Sequence, residues 1–111
     1  MKLHIISCIA TLLGCLSFSS PRADTGNELY HRCQEPDTAN KGLCNGYIIG
    51  AWEALDAYLL TDKLRICART HVTKGQIIAV TLKWIEQHPE LRDVNASLIV
   101  GRAMSDAFPC Q

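Results

Sequence analysis

Four cysteines, Cys33, Cys44, Cys67 and Cys110, constrain this chain more than any other feature. They remain, as an even set, once Cys8 and Cys15 are set aside with an amino-terminal stretch that has the character of an export leader. Lys2 supplies a small positive region, and Ile5 to Phe18 is apolar apart from small polar residues, about the length of a signal core. It is too short for a convincing membrane span. Cleavage after Ala23 is expected, although Pro21 is a poor residue at the third position before the cut. A rival is Leu12-Leu13-Gly14-Cys15, a weak lipobox in which Cys15 would be lipidated and hold the protein on a membrane surface. Export by either route gives an oxidising setting, so two disulfides are expected in a mature chain Asp24–Gln111.

That length suits one small domain with one core. The full sequence is formally neutral, but loss of Lys2 and Arg22 leaves nine basic residues against eleven acidic ones. No basic cluster able to neutralise several phosphates is present, which excludes nucleic acid as a partner; Arg65 and Arg69 look like solvated charges beside a loop.

The longest helical signal runs from Cys44 to Leu60. At 3.6 residues per turn Tyr47, Ile48, Ala51, Trp52, Leu55, Tyr58 and Leu59 share a broad face, which makes this the central helix. Gly26 to Cys33 is expected to form a short leading helix, and Gln34 to Leu43, with Pro36, Asp37, Asn40 and Gly42, a loop. Thr61 to Arg65 is an exposed connection, with Ile66 returning to the core. Thr73-x-x-Gln76 is a capping box opening a helix in which Ile77, Val80, Thr81, Trp84, Ile85 and His88 recur at three- and four-residue steps, until Pro89 ends the pattern. A last helix is expected from about Asp93 to Ala107 with Leu98, Ile99, Ala103 and Ala107 inward, and Tyr47, Trp52, Ile77, Trp84 and Ile99 are expected in the core. The fold class is therefore all-α: a small disulfide-stapled domain of one short and three main helices, packed up and down.

Four cysteines allow three pairings, and the helix order favours one. Cys33 enters beside Cys44, while Cys67 and Cys110 both fall at the far end of an up-down arrangement, so Cys33 pairs with Cys44 and Cys67 with Cys110 without crossing the domain. Each closure is worth about 3 to 4 kcal/mol in the loop-entropy model, a large share for so small a core.

His31 near Cys33 and His71 near Cys67 raise the question of structural zinc, but no C-x-x-C spacing exists and no metal site is expected. No phosphate-binding glycine loop, nucleophile elbow or metal-ligand helix motif appears, and no cofactor is called for. Glu53 and Asp56 share a helix side as ordinary surface charges do, and His88 stands where a histidine caps carbonyls more often than it acts as a base. The chain has the character of a binder rather than an enzyme.

Leu29-Tyr30 followed by Cys33, then Cys44-x-Gly46-Tyr47-Ile48-x-Gly50, Cys67 before Thr73-x-x-Gln76, His88-Pro89-Glu90 and Ala107-Phe108-Pro109-Cys110 together resemble the Rap/Tai family of periplasmic immunity proteins. The resemblance spans nearly all of the mature chain and rests on order and spacing. It departs at Arg69-Thr70-His71, where a Pro-Gly turn is more usual. It implies a small helical protein that binds and blocks a peptidoglycan amidase delivered by type VI secretion. It carries over the scaffold and not the inhibitory contacts.

Those contacts must come from loops and helix ends, since the apolar stripes account for the inward faces. The candidates are Arg65, Arg69 and His71 in the Thr61–His71 connection and Glu90 and Arg92 in the His88–Asp93 connection. The first is preferred because Cys67 would anchor it, and a preorganised loop loses little entropy on binding. A second copy of the chain is another partner to consider. The alternative function is a periplasmic chaperone of acid-stress type, although the chain is not enriched in acid-titrating groups.

Overall fold

The computed structural model describes residues 24–58, 60–68 and 71–111. The expected leader, with Cys8 and Cys15, lies outside the described residues, as do Leu59 and Arg69. The elements are α1 (Gly26–Gln34), α2 (Thr38–Ala57), the single turn α3 (Leu60–Lys63), α4 (Lys74–Gln87), a 3-10 turn (Pro89–Leu91) and α5 (Ala96–Ala107). Among the described residues there is no strand, only isolated bridges pairing Thr25 with Asn95 and Ile66 with Pro109. The all-α class and the order of one short and three main helices are as the periodicity predicts.

Each helix start has a local cause. Thr25 and Glu28 form a capping box on α1: the Glu28 N–H donates to Thr25 Oγ1 at 3.3 Å and the Thr25 N–H to Glu28 Oε2 at 2.6 Å. Thr73 and Gln76 repeat the device on α4, at 3.2 Å and 2.8 Å. Asn95 caps α5 by accepting from the Ser97 N–H at 3.0 Å, so that helix starts at Ala96 rather than near Asp93.

The largest correction is at α2. Asp37 is its N-cap, accepting from the Asn40 N–H and side-chain amide, each at 2.9 Å, and the helix starts at Thr38 where a loop to Leu43 was expected. Pro36 and Asp37 are the entry to the helix, and Asn40 and Gly42 lie within it. At the other end, Thr61–Lys63 of the expected exposed connection belong to a helical turn, with Asp62 to Arg65 exposed and Thr61 half-buried.

Helices α2, α4 and α5 pack against one another, and α1 lies across all three. The core gathers Leu29 of α1, Cys44 and Ile48 of α2, Ile77, Trp84 and Ile85 of α4, and Ile99, Val100, Ala103 and Met104 of α5. Tyr47 and Trp52, expected inside, are half-buried at its edge. Two other expectations fail on α5: Leu98 is 55% exposed and Ala107 is exposed. The buried face of α5 is centred on Ala96, Ile99, Val100 and Ala103, which turns Leu98 outward, and Ala107 sits in the last turn beyond the packed region. Tyr58, at the end of α2, is likewise 77% exposed.

The two ends of the bundle are closed differently. At one end α1 meets the segment before α5: the Gly26 N–H donates to Val94 O at 2.9 Å, the Asn27 N–H to Arg92 O at 2.8 Å and the Ala96 N–H to Asp24 O at 2.8 Å. Gly26 is needed there, because a Cβ would stand 2.9 Å from the Arg92 carbonyl oxygen. At the other end the chain after α3 meets the segment after α5. There the Cys67 N–H donates to Phe108 O at 2.8 Å, the Cys110 N–H to Arg65 O at 3.2 Å and the Ser105 hydroxyl to Leu64 O at 3.0 Å.

Both disulfides lie within this frame. Cys33–Cys44 ties α1 to α2 with Cα atoms 5.2 Å apart, and Cys67–Cys110 ties the connection after α3 to the segment after α5 at 4.9 Å.

Candidate protein-binding face

Cys67, one end of the bridge to Cys110, lines a concavity among the described residues. A hollow of about 490 Å³ is lined by Cys67, His71, Val72, Gln76, Ala107, Phe108, Pro109 and Gln111. Two elements build its walls: the start of α4, set by the Thr73 capping box, and the segment after α5, drawn in by the backbone bonds to Arg65 and Cys67. The lining mixes ring and aliphatic carbon with the His71 imidazole and the Gln76 amide, which suits a protein side chain better than a compact anion.

Arg65 and His71 are both exposed at this end. Arg65 has φ 53°, in the left-handed region that non-glycine residues seldom occupy. Its carbonyl accepts from the Cys110 N–H, so the bond beside the disulfide and the unusual backbone belong to one turn. Such strain persists where surrounding structure determines it, and it gathers at binding sites. Lys74 projects nearby, its ammonium 3.9 Å from Glu53 in an exposed pair that contributes little.

Glu90 and Arg92 are at the opposite end of the bundle and do not join this face. Glu90 is exposed on the 3-10 turn. Arg92 is half-buried and bound to its own chain: its Nε donates to Ile85 O at 2.8 Å, a terminal nitrogen donates to Glu86 O at 3.2 Å, and the guanidinium lies 3.7 Å from the centre of the Tyr30 ring. It closes the C-terminal end of α4 and joins α4 to α1.

The remaining polar residues of interest have structural surroundings. His88 stacks on Trp84 with ring centroids 4.2 Å apart, and its Nδ1 is 2.8 Å from the Trp84 carbonyl oxygen, a helix-capping position. Glu53 and Asp56 are exposed, with Glu53 facing Lys74. His31 is exposed in the last turn of α1. Among the described residues no group of three or more His, Cys, Asp or Glu could hold a metal ion. Burial, and then the Asp24 carboxylate, push the Tyr47 hydroxyl above its ordinary pKa against the opposing effect of Ser97.

Sequence reasoning did not find the bond from Trp84 Nε1 to Asp106 Oδ2 at 2.7 Å. It sits over a smaller groove of about 280 Å³ between α4 and α5, bordered by Val80, Lys83, Gln87 and Ala103. Their separation along the chain left no local signal. The Thr25-x-x-Glu28 capping box was not read from the sequence either, although its Thr-x-x-Glu spacing is a local signal that could have found it.

Among the described residues no helix is long and apolar enough to cross a membrane. No curated protein and no solved structure shows a significant match to the chain. The family model of the Rap1a immunity proteins matches residues 25–110, from the threonine that caps α1 to the cysteine that closes the second bridge. A match over that span takes in every helix among the described residues and both disulfides, and the chain belongs to the Rap1a immunity protein family.

Proposed function

We propose that this immunity protein acts in the periplasm, where it binds a peptidoglycan amidase delivered by type VI secretion and covers its catalytic cleft. Residues 1–23 serve as the export signal in this reading. The family match over residues 25–110 carries it. Occlusion requires a rigid surface and no catalytic group.

The contact element is the connection from Thr61 to His71, with Arg65, Arg69 and His71 as its polar groups. Its support is the geometry of the Cys67–Cys110 end: exposed Arg65 and His71 stand beside a hollow, on backbone held by a disulfide and two backbone hydrogen bonds. A loop held in its bound shape spends little entropy on ordering. Replacing Arg65, Arg69 and His71 together with Ala should weaken binding to the cognate amidase by more than tenfold, about 1.4 kcal/mol, with the melting temperature held. A smaller loss would remove this loop from the interface and pass the role to Glu90.

A further inference from the structure

The two disulfides differ in one respect that the bundle does not require. The bridge between adjacent helices pairs Cys44, 1% exposed, with half-buried Cys33, whereas the other pairs half-buried Cys110 with Cys67, which is exposed and lines the 490 Å³ hollow. Thiol–disulfide exchange needs a thiolate to approach one sulfur, so access ranks bridges exposed to the same thiol. We propose that Cys67–Cys110 is a thiol-exchange site, entered through the hollow by a low-molecular-mass thiol and opened reversibly while Cys33–Cys44 and the helices stay intact.

The chemistry closes with two thiol equivalents. The first thiolate attacks Cys67 Sγ, the bond to Cys110 breaks, and Cys110 leaves as a thiolate that takes a proton from water. The second attacks the outer sulfur of the mixed disulfide and releases Cys67, which is protonated in turn. The two reagent sulfurs end joined to each other, having supplied two electrons.

Opening the bridge acts on the loop before the core. Ile66 is the one buried side chain among the described residues from Leu64 to His71. Without the covalent tie the loop keeps that contact and the backbone bonds Cys67 N–H to Phe108 O and Cys110 N–H to Arg65 O. Segments held by few buried contacts open locally, well below the free energy of global unfolding. Exchange therefore slackens the stretch that carries Arg65 and His71. Its effect on amidase binding rests on the function proposed above, whereas exchange itself does not.

The test uses the oxidised exported protein and dithiothreitol, with samples withdrawn over time, alkylated with iodoacetamide and mapped as peptides. Trypsin cleavage after Arg65 and the far-ultraviolet circular dichroism are followed in parallel. Cys67 and Cys110 should be alkylated at least tenfold faster than Cys33 and Cys44, and cleavage after Arg65 should accelerate with them while the helical signal is unchanged. Equal rates for the two pairs would overturn the proposal, as would cleavage that accelerates only when the helical signal falls. Neither outcome bears on whether the oxidised protein binds an amidase.

Discussion

Arg92 shows how a residue that looks available in sequence becomes part of the frame. Its charge and its place beside Pro89 suggest a solvated loop residue, yet it donates to two carbonyls of α4 and lies over Tyr30. Hydrogen bonds from a charged donor contribute about 1.5 to 3 kcal/mol, and a cation–π contact about 0.5 to 1 kcal/mol when exposed. Arg92→Ala should therefore cost about 2 to 3 kcal/mol and lower the melting temperature by about 10 °C or more. Glu90→Ala, on the exposed turn beside it, should stay within about 0.5 kcal/mol. Thermal unfolding of the two variants side by side checks both. Equal effects would remove the bracket role from Arg92. Trp84 makes a second case, joining a buried ring to a bond with Asp106 and a stack with His88. Trp84→Ala should cost about 3 to 5 kcal/mol, measured by urea unfolding, and more than the same change at half-buried Trp52.

At the scale of elements, α2 shows the limit of local signals. Pro36, Asp37, Asn40 and Gly42 are turn formers, but a proline and an aspartate in succession are also what precedes a helix, and the chain uses them that way. The periodic stretches of α4 and α5 were legible because their apolar faces are continuous, whereas the outward turn of Leu98 depends on where α5 meets α4. The proposed contact face was legible only as polar loop residues near Cys67; the hollow beside it joins the start of α4 to residues after α5, far along the chain. The cap on α2 carries a pH prediction. Bonds from the Asn40 side chain and backbone hold the Asp37 carboxyl below its ordinary value of 3.8. A depressed folded-state pKa means the stabilisation is present above the unfolded value and lost as pH falls through the folded one. Amide exchange at Ala39–Lys41 should therefore rise as pH drops below about 3.8, beyond the intrinsic change, and Asp37→Asn should remove that extra rise while keeping the helix start. An unaltered profile in the variant would show that another group governs the end.

The whole molecule is a small helical core held by two covalent ties with different duties. Cys33–Cys44 fixes α1 to the bundle, and Cys67–Cys110 fixes the face proposed to meet the partner. Replacing Cys33 and Cys44 together with Ala should cost about 2 to 5 kcal/mol of global stability, read by urea unfolding, because that bridge limits the unfolded chain and one of its cysteines is packed in the core. Cys67 sits at the surface, so losing its bridge should show first in the loop. The proposed role of this rigid surface is to cover an enzyme. Its most direct measurement is peptidoglycan cleavage by the cognate amidase, once identified, with the oxidised protein added in increasing amounts. Cleavage should fall to background as the protein reaches equivalence with the amidase, and cleavage that continues unchanged with the protein in tenfold excess would contradict the account.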